Sequence, residues 1–199
     1  MLIGVDFDNT IVCYDELFYK VALERMLIPA NLSANKTAIR NYLRRIGQED
    51  KWTEMQGYVY GFRMITEAEA FPGVHDFFVF CQRHGFPVRI ISHKTRYPYR
   101  GEPYDLHQAA REWLVYHGFD HSIDLLSKYF FAELTKAEKL QRIQNLGCTY
   151  FIDDLPEFLT DANFPADVQR ILFDPANEYG DFRDGIRVSS WTQVKALFG

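Results

Sequence analysis

The stretch Asp6-Phe7-Asp8-Asn9-Thr10 places two carboxylates two residues apart at the end of an apolar run, residues 2–7. Like charges at that spacing repel, and neither can leave water without a partner. Further polar groups follow at comparable places. Ser92 ends the apolar run 87–92, Lys136 lies near the start of a helical stretch, and Asp153 and Asp154 close the run 149–153. These residue types can attack phosphorus together. A carboxylate nucleophile reaches a phosphoryl group only if the charge on both partners is neutralised. A divalent cation does this with one or two carboxylates, water and substrate oxygens around it. Asp6 and Asp153 would hold the cation, while a lysine would hold the nucleophile and the transferring oxygens. The Ser92 hydroxyl would donate to the same group. Asp8 would protonate the leaving oxygen and later activate water. Lys136 is favoured for the lysine, with Lys139 one turn on as its rival.

Blander readings exist for each residue. Asp, Asn and Thr favour strand ends and helix caps, so DFDNT alone is ambiguous. A calcium loop of the EF-hand type also opens Asp-x-Asp but needs Gly at 11 and Glu at 17, where Ile11 and Leu17 stand. Ser92 alone is an ordinary strand-end hydroxyl.

The elements that must position these groups are legible as periods. Runs at 2–7, 87–92, 128–133, 149–153 and 168–173 read as strands. Ile39, Tyr42, Leu43 and Ile46 recur at helical spacing after Asn35, a candidate N-cap. Val74, Phe77, Phe78 and Cys81 do so after a Pro-Gly break. Leu106, Ala110, Trp113, Leu114 and His117 do so after Asp105. A helix over 135–146 stops at Gly147, and an amphipathic helix carries Trp191, Val194 and Leu197. Strands alternating with helices predict an α/β fold, a Rossmann-like core with a mostly parallel sheet and helices on both faces. Such sheets bind ligands at the carboxyl ends of their strands. Residues 14–71 exceed the dozen or so that a simple crossover needs. They read as a helical cap inserted beside the first strand, with 1–13 and 72–199 forming the core.

The constellation resembles the phosphatase branch of the haloacid dehalogenase (HAD) superfamily. Four motifs stand in that family's order: DFDNT at 6–10, RIIS ending in Ser92, LTKAEKL with Lys136, and FIDD ending in Asp153 and Asp154. The resemblance implies a Mg²⁺-dependent phosphomonoester hydrolase in which Asp6 forms an aspartyl-phosphate and Asp8 is the general acid and base. It implies metal binding by Asp6, Asp153, the backbone carbonyl of Asp8 and, in support, Asp154. Asp8 also disfavours dehalogenation, since the family's dehalogenases lack that residue. Thr10 of the first motif is a candidate substrate-binding residue. His93, Lys94 and Arg96, from the cationic and aromatic loop after Ser92, are others, suited to gripping a second anionic group. A weaker likeness, to 5′(3′)-deoxyribonucleotidases, rests on the acidic doublet and on ILFDPANEYG at 171–180. A phosphomutase or a non-catalytic phosphate-binding member are the alternatives. A phospho-signalling receiver does not fit, because its acidic doublet precedes its acceptor.

Composition narrows the partners. Net charge is −5 over 199 residues, giving no field for a nucleic-acid polymer. No apolar stretch approaches the roughly 20 residues of a membrane span, and Asp6 interrupts the first run too early for a secretion signal. The 3 cysteines form no Cys-x-x-Cys pair, so reduced thiols in a cytoplasm are expected. The expected substrate is a small phosphate ester, such as a nucleotide or a sugar phosphate.

Overall fold

A computed structural model describes residues 1–119 and 128–199. Its strands among these residues are β1 (Ile3–Val5), β2 (Val12–Cys13), β3 (Glu69–Ala70), β4 (Val88–His93), β5 (Phe130–Glu133), β6 (Tyr150–Asp153), β7 (Gln169–Phe173) and β8 (Ile186–Val188). Six of them form one sheet in the order β5-β4-β1-β6-β7-β8, paired in parallel throughout. β2 and β3 form a separate two-stranded ribbon. The α/β architecture expected from the alternating periods is present.

Side-chain alternation explains the layers. Ile91, Phe151 and Leu172 share a core with Leu140 and Ile143 of the Lys136–Leu146 helix, together with Phe158, Leu159 and Phe164. Phe173, one step along from Leu172, meets Phe71 and Trp191, and Trp191 meets Phe77 of the Val74–His84 helix. Helices therefore cover both faces. β1, central in the sheet, is fully buried along its length. Its Gly4 has a physical reason, because a Cβ there would overlap the Phe151 ring.

The helix boundaries follow their caps. Asn35 accepts from the Ala38 amide, and Asp105 accepts from the His107 and Gln108 amides. Thr135 and Glu138 close a reciprocal capping box at the start of Lys136–Leu146, and Gly147 ends that helix at φ 68°.

The chain divides into two compact units. One, the sheet unit, comprises Met1–Val12, Ala70–Lys94 and Asp124–Gly199. The other, the helical unit, comprises Cys13–Glu69 and Thr95–Ile123. The second segment of the helical unit departs from the expected boundaries, which placed everything after 72 in the core. Its reason is local packing. The Trp113 indole N–H donates to the Ala68 carbonyl at 2.8 Å. Gly57 and Gly61 lie so close to Pro98 and Tyr104 that a Cβ at either would collide with them. Periodicity over 106–117 shows that the Leu106–Tyr116 helix has an apolar face but not which unit receives it. A π-helical turn, Val59–Arg63, joins the Glu49–Tyr58 and Met64–Glu67 helices. Among the described residues no helix is long and apolar enough to cross a membrane.

Candidate active site

Chain order in the sheet fixes where a site can form. From β1 the chain builds outward through β4 and β5, then returns to β6 and builds the other way through β7 and β8. Ligands in parallel sheets bind at the strand carboxyl ends beside such a reversal. Val5 pairs with both Ile90 and Ile152. Asp6, Ser92 and Asp153 therefore come from adjacent strand ends, and the Asp6 amide donates to the Ile152 carbonyl at 2.8 Å.

An ammonium group ties two of these ends together. Lys139 Nζ lies 2.7 Å from Asp6 Oδ1 and 2.6 Å from Asp153 Oδ2, over the Phe158 ring. All three residues are buried. Burial pushes the Asp6 carboxyl up to about 7; Lys139 opposes the rise, while Asp153 and Asp8 add to it. Burial works against the Lys139 charge, yet Asp153 and Asp6 outweigh it and hold the amine protonated beyond its ordinary range. The other Asp153 oxygen accepts from the Leu155 amide at 2.9 Å, which fixes the turn carrying Asp154. The Thr10 hydroxyl donates to Asp154 Oδ1 at 3.4 Å, and the Trp191 indole donates to the Thr10 carbonyl at 3.0 Å.

Asp8 is handled separately. The chain turns through Asn9 at φ 58°, a left-handed position that Asn tolerates, and Asp8 bridges to Val12. The Asp8 carboxylate meets Lys94 Nζ through both oxygens, at 2.9 and 2.8 Å. The Ser92 hydroxyl is buried and has no hydrogen-bond partner among the described residues.

The structure thus brings together Asp6, Asp8, Ser92, Lys94, Asp153 and Asp154 in the sheet unit, with Thr10 bracing Asp154. It does not place Lys136 among them. Lys136 is the first residue of its helix, where its amine bonds Asp161 Oδ2 at 2.7 Å and the Glu157 carbonyl at 3.1 Å. Lys139, the rival, occupies the position expected of Lys136. The signal was present in the sequence: Thr135-x-x-Glu138 is a capping box that pins Lys136 at the helix rim, leaving Lys139 one turn deeper on the face of Ile143. His93 points the other way from Ser92 and Lys94, is exposed, and contacts the Leu134 carbonyl at 3.2 Å. Arg96 belongs to the helical unit, where it pairs with Asp105 at 3.0 Å. Thr10 is fully buried, which suits support rather than contact with a substrate.

The donor set suits a small hard cation. Carboxylate oxygens of Asp6, Asp153 and Asp154 lie within 4.8 Å of one another. Two of the three, Asp6 and Asp153, share the Lys139 ammonium, and both are buried. Oxygen-only donors of this number match Mg²⁺ or Mn²⁺ rather than zinc or copper.

Comparison of the sequence with protein-family models and with curated proteins gives no match. Solved structures match along nearly the whole chain. A predicted phosphoglycolate phosphatase from Haemophilus somnus superposes with a TM-score of 0.61 at 14% identity, over 100% of this chain and 97% of that one. A HAD-superfamily hydrolase of subfamily IA from Geobacter sulfurreducens gives 0.58 at 12%, over 100% and 96%. CbbY from Rhodobacter sphaeroides, in complex with xylulose-(1,5)-bisphosphate, gives 0.57 at 13%, over 96% and 95%. The fold is therefore that of the HAD-superfamily hydrolases.

Proposed function

We propose that the protein is a phosphomonoester hydrolase that transfers the phosphoryl group first to Asp6 and then to water, with Mg²⁺ as its cofactor. One observation carries this reading. A buried carboxylate, Asp6, is held by a buried ammonium, Lys139, beside two further carboxylates, Asp153 and Asp154. Asp6, Asp153, Asp154 and the Asp8 carbonyl would hold the cation, which when bound supplies charge neutralisation for an anionic ester.

The chain's own groups supply the rest. An Asp6 oxygen attacks phosphorus while Lys139 holds that carboxylate in place. The Ser92 hydroxyl donates to a phosphoryl oxygen. The Asp8 carboxyl gives its proton to the ester oxygen as the P–O bond breaks and that bond's electron pair moves to the oxygen. In the second half, Asp8 takes a proton from water as the water oxygen bonds to phosphorus and the electron pair of the Asp6–phosphorus bond returns to Asp6.

The net negative charge and the sugar bisphosphate bound by CbbY support a small phosphorylated metabolite over a nucleic-acid polymer. The 3 free cysteines fit a reducing compartment such as a cytoplasm. The test is phosphate release from a panel of nucleotides and sugar phosphates, with Mg²⁺ and with EDTA. Metal-dependent release that falls about 10³-fold or more in Asp6→Asn is expected for a lost nucleophile. No release from any ester by the folded protein would overturn the reading, and phosphoryl transfer to another sugar hydroxyl would replace it with a mutase.

A further inference from the structure

We propose that Lys94 is a positioning residue that acts through Asp8, holding the acid-base carboxylate on the leaving-group oxygen. The inference rests on the phosphatase reading above and adds a job for a lysine that the four motifs leave unassigned.

Strand alternation puts Lys94 on the side of Ser92 and turns His93 away. The Lys94 backbone is pinned, since its amide donates to the Glu133 carbonyl at 2.8 Å just past the His93–Glu133 pairing of β4 and β5. The residue is only 6% exposed, a rare condition for lysine without a charged partner. Its ammonium spans both oxygens of Asp8, at 2.9 and 2.8 Å. On the Asp8 side, Asn9 and the Val12 bridge hold the backbone, leaving the side-chain torsions as the remaining freedom. A cation on both oxygens restricts them. The Asp8 side chain nevertheless keeps 22% exposure, so a reacting group can reach it.

The charges are also divided. Lys139 serves Asp6 and Asp153, and Lys94 serves Asp8. Two carboxylates two residues apart are thereby given separate cations, and the Asp8 carboxylate is not among those that gather for a metal. A buried ion pair is weak evidence for stability; here it supplies direction. Proton transfer needs the acid within hydrogen-bond reach of the ester oxygen, and small misplacements are costly.

The experiment measures kcat/KM of wild type, Lys94→Met, Lys94→Arg, Asp8→Asn and Asp8→Asn/Lys94→Met with saturating Mg²⁺. Two probes are used. The alkoxide of glycerol phosphate needs protonation to leave; the nitrophenolate of p-nitrophenyl phosphate does not. Lys94→Met is expected to lose about 100-fold on glycerol phosphate and less than about 5-fold on p-nitrophenyl phosphate, the share of a general acid. Lys94→Arg recovers most of that loss, and Lys94→Met adds less than about 3-fold in the Asp8→Asn background. Equal losses on both esters, or full additivity with Asp8→Asn, would overturn the proposal and make Lys94 a phosphate-binding residue. Should Lys94→Met fail to melt cooperatively, Lys94→Gln takes its place in the same comparison. Folded wild type inactive on these two esters and on the nucleotide and sugar-phosphate panel would instead overturn the phosphatase reading, and this inference with it.

Discussion

Among the described residues the buried charges belong to the sheet unit and are paired, whereas the helical unit carries its ion pairs mainly at the surface. Among the described residues the buried polar or charged side chains are Asp6, Thr10, Ser92, Lys94, Lys139, Asp153 and Asp174, and every one belongs to the sheet unit. In the helical unit Arg63 joins Glu24 and Glu67, Lys20 joins Glu67, and Arg44 joins Glu49. The carboxylates of those pairs stay open to water. Burying a charge costs several kcal/mol unless its partner is well placed, while exposed pairs cost and contribute little. The sheet unit therefore concentrates its electrostatic strain at the strand ends where the proposed chemistry lies. The helical unit rests instead on an apolar core of Phe18, Trp52, Met55 and Trp113.

The contrast is sharpest between two lysines on one helix. Lys139→Met leaves Asp6 and Asp153 buried without their cation and is expected to cost about 3–5 kcal/mol. Lys136→Met, at the exposed helix start, should stay within about 0.5 kcal/mol. Urea denaturation of both variants measures the difference, and equal losses would break the comparison. In the helical unit a backbone cap should matter more than any ion pair. Asn35→Ala removes the acceptor for the Ala38 amide and is expected to cost about 1 kcal/mol in the same assay.

An effect no larger than that of the cap belongs to Glu67. Hydrogen bonds from Arg63, then Lys20, lower its carboxyl from 4.5 to about 2. A carboxyl depressed in the folded state contributes stability that is fully present above pH 4.5 and is lost as pH falls toward 2. Glu67→Gln should thus lower stability at pH 7 by about 1 kcal/mol or less, after solvent screening. It should also flatten the loss between those two pH values. Melting curves across the acid range measure this, and an unchanged slope would mean that the pair contributes nothing.

Local rules made much of the molecule legible in its sequence. Asn35, Asp105 and Gly147 mark helix ends through chemistry confined to one turn, and each is found there. Asp6, Ser92 and Asp153 end their apolar runs because a buried strand must end somewhere polar. What stayed hidden depends on direction or on partners distant in the chain. The capping box marks Lys136 as the first helical residue, but that Lys139 reaches both Asp6 and Asp153 requires knowing which helix face meets the sheet. Assigning residues 95–119 to the helical unit requires knowing that Gly57 and Gly61 leave room for Pro98 and Tyr104. The engagement of Lys94 with Asp8 requires β4 beside β1, a neighbour relation that no period encodes.

The place of β1 at the centre of the parallel sheet bears on how the protein comes into being. Ile3 pairs with Val88 on one side and Tyr150 on the other, so neither neighbour exists when β1 leaves the ribosome. At about 5–20 residues per second, β1 waits on the order of 10 s for its second partner, and such non-local pairing is intrinsically slow. Throughout that interval an apolar strand followed by two carboxylates is open to water, chaperones and other chains. The Asp6–Lys139–Asp153 contact closes only after β6 has found β1, so the proposed activity should lag behind helix formation during refolding and serve as its late reporter.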